Sequence, residues 1–481
     1  MVDVPTMEAF AALEQRVSTL EQGTPEPVPP DPETEGVQAT RIAFLIENFG
    51  INTFSQTSPD YNLWGTWPAY YMPDSVCAAL DFLTADSGFQ LPIREYHYAD
   101  KGSMQTQWLR EIRQSYPETE ATFCVSCNGS VSDAESVLAM ARDPTLGIRW
   151  IEGINEPNMD FGWGTVPVEQ TMDVQRVLCA NCPEGVGLMG PSVVAGCPEA
   201  DDWIKGYFGG YMTELNGLID YGNGHYYPPY CPCPAGTSYS IDEYVGWLWD
   251  AYGQHAIMMT EFHSTLYAAS SADPATTPRG PSIIAAIIAK LNGRLRDREG
   301  NERDPPPLPT LQASEAKDGF FLLLTLLTCT KHGTLGLWWY ALYDYGSTYE
   351  CGLFPERYAE HPRSPAYAIR NLCLVTGDKG ERRTFETHKL GVAVEGLPDD
   401  ADWDVYESSD GRFFVPIWRP GETMDSVAAA QVTVRFARAP RRVVHWDLLH
   451  GPEPLRMNEW EGPTELTVPL PPGVPFLVIE P

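Results

Sequence analysis

The chain has 481 residues, of which 43% are hydrophobic, so it is too long for one ordinary domain and predicts two or three. It carries 65 Asp and Glu against 32 Lys and Arg, and the net charge of −33 repels phosphate backbones and anionic lipid, which excludes nucleic acid as a partner. No stretch reaches the ~20 apolar residues that cross a bilayer, which excludes membrane insertion.

Eleven cysteines, an odd number, exclude a complete disulfide framework. Three close pairs resemble half of a zinc site, but they fall in three different predicted elements, and residues three apart in a strand face opposite sides. We therefore expect buried thiols, no metal and no cofactor. The pairs are Cys124 with Cys127, Cys179 with Cys182, and Cys231 with Cys233.

Residues 1–22 have the pattern of a short oligomerising helix. The apolar residues at spacings of three, four and three are Phe10, Leu13, Val17 and Leu20. They predict a coiled-coil helix that forms a homo-oligomer, with a trimer favoured, or attaches the chain to a larger particle through residues 7–22. A loose amphipathic tail is the alternative, because two heptads alone are marginal. Residues 23–40 are rich in proline and acidic residues and predict an extended linker.

Residues 41–374 alternate apolar, strand-like runs with amphipathic, helix-like runs, which is the pattern of βα units. Eight of each predict an α/β fold, a (β/α)8 TIM barrel. The predicted strands are 41–47, 91–98, 121–127, 148–154, 187–195, 219–227, 256–262 and 334–340. The predicted helices lie near 74–86, 105–115, 132–142, 168–180, 201–216, 241–252, 312–331 and 364–373. A long insertion, 264–311, predicts a lid or a wall of the substrate cleft.

Residues 375–481 change to short alternating runs that are separated by turns. This texture predicts a C-terminal antiparallel β-sandwich. Packing against the barrel is the favoured role for this domain, and glycan binding is the alternative.

The carboxyl ends of the barrel strands define the candidate site, because residues at those ends line the active sites of such barrels. Two apolar runs end in a carboxylate, Glu156 after the fourth strand and Glu261 after the seventh. The remaining strand ends supply polar and aromatic side chains for binding a substrate: Glu47, Arg94, His97, Asn155, His225, Tyr227, Trp338 and Trp339. We expect Glu152, inside the fourth strand, to face away from this site.

The segment Asn155-Glu156-Pro157, together with Glu261, resembles the signature of clan A glycoside hydrolases, which are retaining (β/α)8 enzymes. The C-terminal domain also resembles the accessory sandwich beside xylosidase and arabinofuranosidase barrels. The resemblance implies that Glu156 is the general acid/base and Glu261 the nucleophile. It further implies the roles of the neighbours: Asn155 donates to the sugar 2-hydroxyl, Tyr227 or His225 orients Glu261, Arg94 supplies a cation near it, and Trp338 or Trp339 forms the floor of the sugar subsite.

The physics of double displacement sets requirements for this pair. The two carboxyls should lie ~5–5.5 Å apart, so that one attacks the anomeric carbon while the other protonates the leaving oxygen. Glu261 must be ionised, which Arg94 and a tyrosine hydroxyl would favour. Glu156 must hold its proton, which burial and the neighbouring negative charge would favour.

The N-terminal features suggest where the protein works. The sequence begins without the basic and apolar segments of a secretion signal, and the heptads and spacer resemble tail-associated proteins of bacteriophages. We therefore expect a polysaccharide of the bacterial envelope as the substrate, with an arabinan or galactan of the actinobacterial cell wall as the first candidate. The expected location is the virion tail or the outside of the cell after lysis, with the cytoplasm as the alternative. Two other functions remain open: a glycan-binding adhesin without catalysis, and a zinc hydrolase built on the cysteine pairs.

Overall fold

The computed structural model describes residues 36–55, 73–85, 89–97, 99, 102–127, 129–159, 165–194, 203–227, 241–253, 255–263, 295–296, 302–303, 315–343, 352–354, 362–377, 385–419, 430–470 and 474–481. The predicted coiled-coil helix and most of the predicted linker lie outside these residues. So do Cys231, Cys233 and nearly all of the 264–311 insertion, of which the strands Leu295–Arg296 and Glu302–Arg303 are described as an antiparallel pair.

The predicted barrel is confirmed: parallel strands close into a ring in which the sixth strand pairs with the seventh. The strands are β1 Phe49–Asn52, β2 Ile93–His97, β3 Ala121–Val125, β4 Ile148–Ile154, β5 Gly187–Met189 with a second piece at Val193–Val194, β6 Tyr221–Tyr226, β7 Ala256–Phe262 and β8 Gly336–Trp339. All neighbouring pairs are parallel, so their carboxyl ends meet at one rim.

Helices surround the ring; the first precedes β1, and the others follow the strands. They are α1 Ile42–Glu47, α2 Pro73–Thr84, α3 Gly102–Ser115, α4 Val131–Ala141, α5 Val168–Asn181, α6 Trp203–Phe208, α7 Met212–Asn216, α8 Ile241–Tyr252, α9 Glu315–Lys331 and α10 Ser364–Thr376. Short 3-10 turns occur at Pro144–Leu146 and Gly209–Tyr211. Among the described helices, none is both long and apolar enough to cross a bilayer.

The first predicted strand, 41–47, is a helix instead. Its buried residues include Ile42, Leu45 and Ile46, which are spaced three and four apart and so lie on one helical face. The first barrel strand begins only at Phe49. A short apolar run fits either a strand or a helix, and the packing of this one against the core separates the two.

The C-terminal region forms two antiparallel sheets that pack face to face, as predicted. One contains Val392–Glu395, Ala430–Phe436 and Glu465–Leu470. The other contains Asp402–Trp403, Tyr406–Glu407, Phe413–Trp418, Phe476–Glu480, Arg442–Asp447 and Leu455–Glu461. The alternation predicted from the sequence is present in Glu465–Leu470, where every second residue is buried in the core between the sheets.

Two short strands that precede the barrel pair with the C-terminal region, although the sequence predicts residues 37–40 as linker and residue 41 as the start of the barrel. Thr40–Arg41 pairs in parallel with Tyr406–Glu407, and Val37–Gln38 pairs antiparallel with Lys389–Leu390. The chain therefore enters the barrel through the second domain.

One hydrophobic core joins the two domains. Trp418, from the sandwich, is fully buried among barrel residues, and its indole nitrogen donates to the hydroxyl of Thr328 on α9 at 2.9 Å. On α10, the Asn371 amide donates to the backbone oxygens of Leu448 and Gly451, both at 2.9 Å. The sandwich thus packs against the outer helices, which is the role favoured for it from the sequence.

Candidate active site

Two irregular strand ends bring the glutamates to the carboxyl rim. In β7 the register against β6 slips between Met259 and Glu261, so Thr260 is an extra residue and both Thr260 and Glu261 turn toward the barrel axis. Beyond β4, Glu156 has a φ of +46°, in the left-handed region that non-glycine residues rarely adopt. The Glu156 amide donates to the Ser192 carbonyl at 2.7 Å, which fixes this turn. Strained backbone of this kind is concentrated at functional sites.

Glu261 is held by three donors. Arg94 Nη1 donates to Oε1 at 2.7 Å, the Tyr96 hydroxyl donates to the same oxygen, and the Tyr227 hydroxyl donates to Oε2. Burial and the neighbouring carboxylate hold the pKa of both tyrosines well above the usual value, so their hydroxyls stay protonated and keep donating. A carboxylate with three such donors is fixed in orientation and favoured in its ionised form.

Arg94 is completely buried and uses all five of its N–H groups. Nε and Nη2 donate to the two oxygens of Glu152, each at 2.8 Å. The other three N–H groups reach Asn155 Oδ1, Asn52 Oδ1 and Glu261 Oε1, each at 2.7 Å. A guanidinium saturated in this way cannot rotate without losing hydrogen bonds, so it fixes the positions of the side chains around it.

A chain of hydrogen bonds that runs from Asn223 to Glu156 shows that Glu156 carries a proton. The Asn223 amide nitrogen donates to the Gly190 carbonyl, so Asn223 Oδ1 is the acceptor for the Thr260 hydroxyl at 2.9 Å. Thr260 Oγ1 then accepts from His225 Nε2 at 3.1 Å. In a neutral imidazole this leaves the lone pair on Nδ1, which lies 2.7 Å from Glu156 Oε1, so Glu156 is the donor and carries the proton.

The electrostatics agree with this assignment. Burial and the Arg94 cation hold the pKa of His225 well below its usual value, which keeps the ring neutral. Burial raises the pKa of both carboxyls, but at Glu261 the Arg94 cation and the tyrosine hydroxyls oppose the rise. At Glu156 burial and the Glu261 charge together raise the pKa well above its usual value. The pair therefore shares one proton, and Glu156 holds it.

Four of the predicted binding residues lie at the site with the two glutamates: Arg94, Asn155, His225 and Tyr227. Asn155 Oδ1 accepts from Arg94 Nη2, so the amide nitrogen of Asn155, which lies 3.4 Å from Cys127 Sγ, remains as a donor. Tyr227 lies edge-on to Tyr340, with ring centroids 6.1 Å apart, and Tyr340 is partly exposed.

The predicted tryptophan floor is not at the site. Trp338 fills the barrel interior toward the amino ends of the strands, where it packs with Trp150, Met189 and Met258. It fits there because β1 has glycine at position 50, where a Cβ would lie 2.3 Å from the indole. Trp339 faces the outer helices and packs edge-on against Phe262. Strand alternation sends these two neighbours to opposite sides, and both are buried.

Two further predicted residues also lie elsewhere. Glu47 ends α1, before β1 begins, so it lies at the amino end of that strand and pairs with Arg41 at 3.5 Å. His97 points to the helix side of β2, where its Nδ1 lies 2.9 Å from Gln105 Oε1 of α3. Arg94 faces the axis, and His97 lies three positions further along the same strand. Because successive side chains alternate between the two faces, His97 is on the opposite face from Arg94.

The sequence reading missed five participants: Asn52, Tyr96, Glu152, Asn223 and Thr260. Alternation from Arg94 could have found Tyr96, which lies two residues along the same strand. Glu152 is predicted to face away, but it faces the axis and pairs with Arg94, because the register of β4 against β3 slips between Glu152 and Ile154 and interrupts the alternation. Thr260 could not have been found, because its inward position depends on a register slip between two strands.

Among the described residues, Glu156, His225 and Glu261 form a group that could hold a metal ion, since one ligand atom from each lies within 4.8 Å of the others. In the structure these atoms are engaged in the hydrogen bonds given above. The group contains no cysteine, so within the described part of the chain the cysteine pairs have no metal-binding cluster around them.

Comparison with known proteins places the fold. No protein-family model matches the sequence, and no curated protein matches it. Among solved structures, the chain is similar to a family 51 α-L-arabinofuranosidase from Bifidobacterium longum, with a TM-score of 0.54 and 11% identity over 93% of this chain and 98% of that one. It is also similar to a bacterial orthologue of human α-L-iduronidase, with a TM-score of 0.50 and 10% identity over 93% of this chain and 82% of that one. At this identity the two likenesses show the fold: a TIM barrel of the type found in these glycosidases, with antiparallel sheets at the C-terminus.

Proposed function

We propose that the protein is a retaining glycoside hydrolase that uses Glu261 as the nucleophile and Glu156 as the general acid/base. The observation that carries the proposal is the pair itself. One carboxylate oxygen from each glutamate lies within 4.8 Å of the other, close to the separation of retaining enzymes and below the ~6.5–9.5 Å of inverting ones. The two residues also have opposite protonation, as the two roles require.

In the first step, Glu261 attacks the anomeric carbon while Glu156 passes its proton to the leaving oxygen. Arg94, Tyr96 and Tyr227 hold the attacking carboxylate in one orientation, so little motion is needed to reach the reactive geometry. Glu156 is the more accessible of the two, with 11% of its side chain exposed against 3% for Glu261. That difference suits a group that meets the aglycone and, later, water.

In the second step, Glu156 acts as the base for a water molecule that releases the sugar from Glu261. Once Glu261 is esterified, it no longer carries the charge that raises the pKa of Glu156. The pKa of Glu156 therefore falls, and its ionised carboxylate can act as the base. Its proton then comes from the attacking water, and the enzyme returns to its starting state. The anomeric configuration is retained because the carbon is inverted twice.

For the substrate we propose a polysaccharide of the bacterial envelope, with an arabinan or galactan of the actinobacterial cell wall as the first candidate. The acidic composition suits an uncharged polymer, and the fold is one that an arabinofuranosidase uses. The heptads and acidic spacer of the N-terminal segment support attachment to a bacteriophage tail or assembly into a trimer.

The test is incubation of the full chain with a panel of purified envelope polysaccharides and aryl glycosides, followed by NMR of the first-formed product. We expect a product that keeps the anomeric configuration of the substrate. A product of inverted configuration would remove the double-displacement mechanism.

Variants test the assignment of the two glutamates. We expect Glu261→Gln to lose hydrolysis and Glu156→Gln to lower kcat by roughly 10²–10⁴-fold. The matched control is Glu95→Gln, a buried carboxylate on the outer side of β2, which should remain active. If both site variants still bind glycan and the unsubstituted chain never cleaves it, the protein is an adhesin on a barrel scaffold.

A further inference from the structure

Arg94 faces two anions, but the proposed reaction uses only one of them. Glu152 is completely buried and forms a two-point ion pair with Arg94 from the neighbouring strand, at 2.8 Å for each contact. It does not touch Glu156, Glu261 or any atom that would react. A buried ion pair is a weak source of stability, since its desolvation offsets its attraction, so the presence of Glu152 asks for another explanation.

The explanation lies in how the charge changes during turnover. When Glu261 attacks, a bond forms from its carboxylate oxygen to the anomeric carbon, the bond to the leaving oxygen breaks, and the proton of Glu156 goes to that oxygen. Glu261 changes from a carboxylate to a neutral ester. Without Glu152, Arg94 would then be a buried cation with no anion in hydrogen-bond contact, which is costly.

The other groups around Arg94 cannot supply that second anion. The titratable side chains that act most strongly on Arg94 are Cys124, Glu152, Glu261 and Tyr96. Burial raises the pKa of Cys124 and of Tyr96 well above the usual values, so both stay neutral. Tyr252, which also lies near Glu152, stays neutral because burial raises its pKa. Glu156 becomes a carboxylate in the same step, but it contacts His225 Nδ1 at 2.7 Å, and all five N–H groups of Arg94 are engaged with other acceptors.

We propose that Glu152 is a positioning residue that holds the Arg94 guanidinium in place and supplies a permanent counter-charge for it. Glu261 can then become a neutral glycosyl ester while Arg94 keeps one anion in contact. This proposal rests on the proposed function. The two-point contact fixes the fork of Arg94, and the three remaining N–H groups are thereby aimed at Asn52, Asn155 and Glu261.

The kinetic test compares Glu152→Gln with Glu152→Asp on a substrate that the intact chain cleaves. We expect Glu152→Gln to lower kcat roughly 100-fold with little change in KM, because the loss falls on the charge changes of the reaction. Removing an anion also leaves Arg94 more fully positive toward Glu261, so the acidic limb of the kcat/KM profile should move to lower pH. Glu152→Asp keeps the charge and should leave that limb in place with part of the rate restored. A role in packing alone would lower stability in both variants and move neither limb, and that result would overturn the proposal.

A second test needs no activity. In Glu261→Gln the neutral amide replaces the neutral ester of the intermediate. The melting temperatures of a double-mutant cycle of Glu152 and Glu261 therefore test the proposal. Each single variant, Glu152→Gln or Glu261→Gln, leaves one anion on Arg94, whereas the double variant leaves none. We expect the melting temperature of the double variant to fall by roughly 5 °C more than the sum of the two single losses. Additive losses would overturn the proposal.

These two readouts separate this proposal from the function on which it rests. If no glycan is cleaved but the cycle is non-additive, the glycosidase proposal fails and charge compensation by Glu152 stands. If glycan is cleaved and the cycle is additive, the reverse holds. Should Glu152→Gln fail to fold, Glu152→Asp carries the test: an acidic limb that moves down although the charge is kept would overturn the proposal.

Discussion

Glu261 depends on its tyrosine donors for its charge at working pH. Burial raises its pKa, and the Arg94 cation and the hydroxyls of Tyr227 and Tyr96 oppose that rise. The ionised fraction at the acidic end of the activity range is therefore set by a few hydrogen bonds, each of which a single substitution can remove.

Tyr227→Phe removes one of those bonds without changing the size of the ring. The pKa of Glu261 should rise, so the acidic limb of the kcat/KM profile should move to higher pH. Loss of one hydrogen bond to a charged group should also lower kcat/KM by roughly 10–100-fold at the optimum. The measurement is the pH dependence of initial rates.

The control for this change is Tyr252→Phe, which removes a buried hydroxyl that donates to the Asn223 carbonyl at 2.9 Å and does not touch either glutamate. It should leave the acidic limb where it is. An unmoved limb in Tyr227→Phe would show that this hydroxyl does not support the Glu261 charge.

The proximity of Glu156 and Glu261 could be predicted from the sequence, because each glutamate ends an apolar run and their ordinal positions place them on one rim. The residues that hold these two glutamates in place could be predicted only in part. Alternation along β2 places Tyr96 on the same face as Arg94 and His97 on the opposite face, whereas the prediction from the sequence was that His97 binds the substrate. The inward turn of Thr260 and the buried pairing of Glu152 depend on neighbouring strands, and no local pattern in the chain records those contacts.

At the scale of elements, β2 anchors the segment that follows β1. Glu95 is completely buried on the outer side of β2, and its oxygens accept from the Ser55 amide at 3.0 and 3.1 Å and from the Ser55 hydroxyl at 2.6 Å. Burial raises the pKa of Glu95 to about 7, and the hydrogen bonds from Ser55, Thr53 and Gln105 oppose the rise.

This anchor makes stability depend on pH. A carboxyl with a raised pKa in the folded state binds its proton more tightly there than in the unfolded chain, so its stabilisation is present below pH ~4.5 and is lost as the pH rises to about 7. The shift corresponds to about 3 kcal/mol. We expect the free energy of unfolding of the intact protein to fall over this window, and urea titrations at pH 4.5, 6 and 8 would measure it.

Glu95→Gln is neutral at every pH and should flatten that part of the curve, so that it becomes the more stable of the two proteins at pH 8. Parallel curves for the variant and the unsubstituted chain would contradict the role given to Glu95. Glu156 also has a raised pKa and acts in the same direction, so some slope should remain in the variant.

The elements themselves were mostly predictable. Seven of the eight predicted barrel strands overlap observed ones, because parallel strands covered on both faces read as continuous apolar runs. The exception, 41–47, has an apolar run too short for its period to be obvious, and only its packing as α1 separates helix from strand. The pairing of residues 37–41 with strands more than 340 positions later could not be anticipated from local pattern.

At the scale of the whole molecule, the barrel and the sandwich should unfold together, since they share one core. Trp418→Ala removes a fully buried ring and its bond to Thr328, and we expect it to lower the free energy of unfolding by about 3–5 kcal/mol. Calorimetry should show one transition, shifted as a whole.

The comparison variant is Leu466→Ala, whose side chain is buried in the separate core between the two C-terminal sheets. It should also shift a single transition, because the sandwich cannot loosen without uncovering the barrel helices. Two transitions, with only one of them moved in either variant, would show that the domains are independent.

The left-handed backbone conformation of Glu156 lowers the stability of the fold at a residue that the proposed reaction needs. A side chain held in that conformation costs roughly 1–2 kcal/mol, and the fold would be relieved of this cost by glycine. Selection for a durable scaffold alone would therefore replace Glu156, the residue that we propose as the proton donor. Under the proposed function, Glu156 lowers stability in exchange for the reaction, and we expect a lineage that no longer needs the reaction to lose this residue before most others in the barrel.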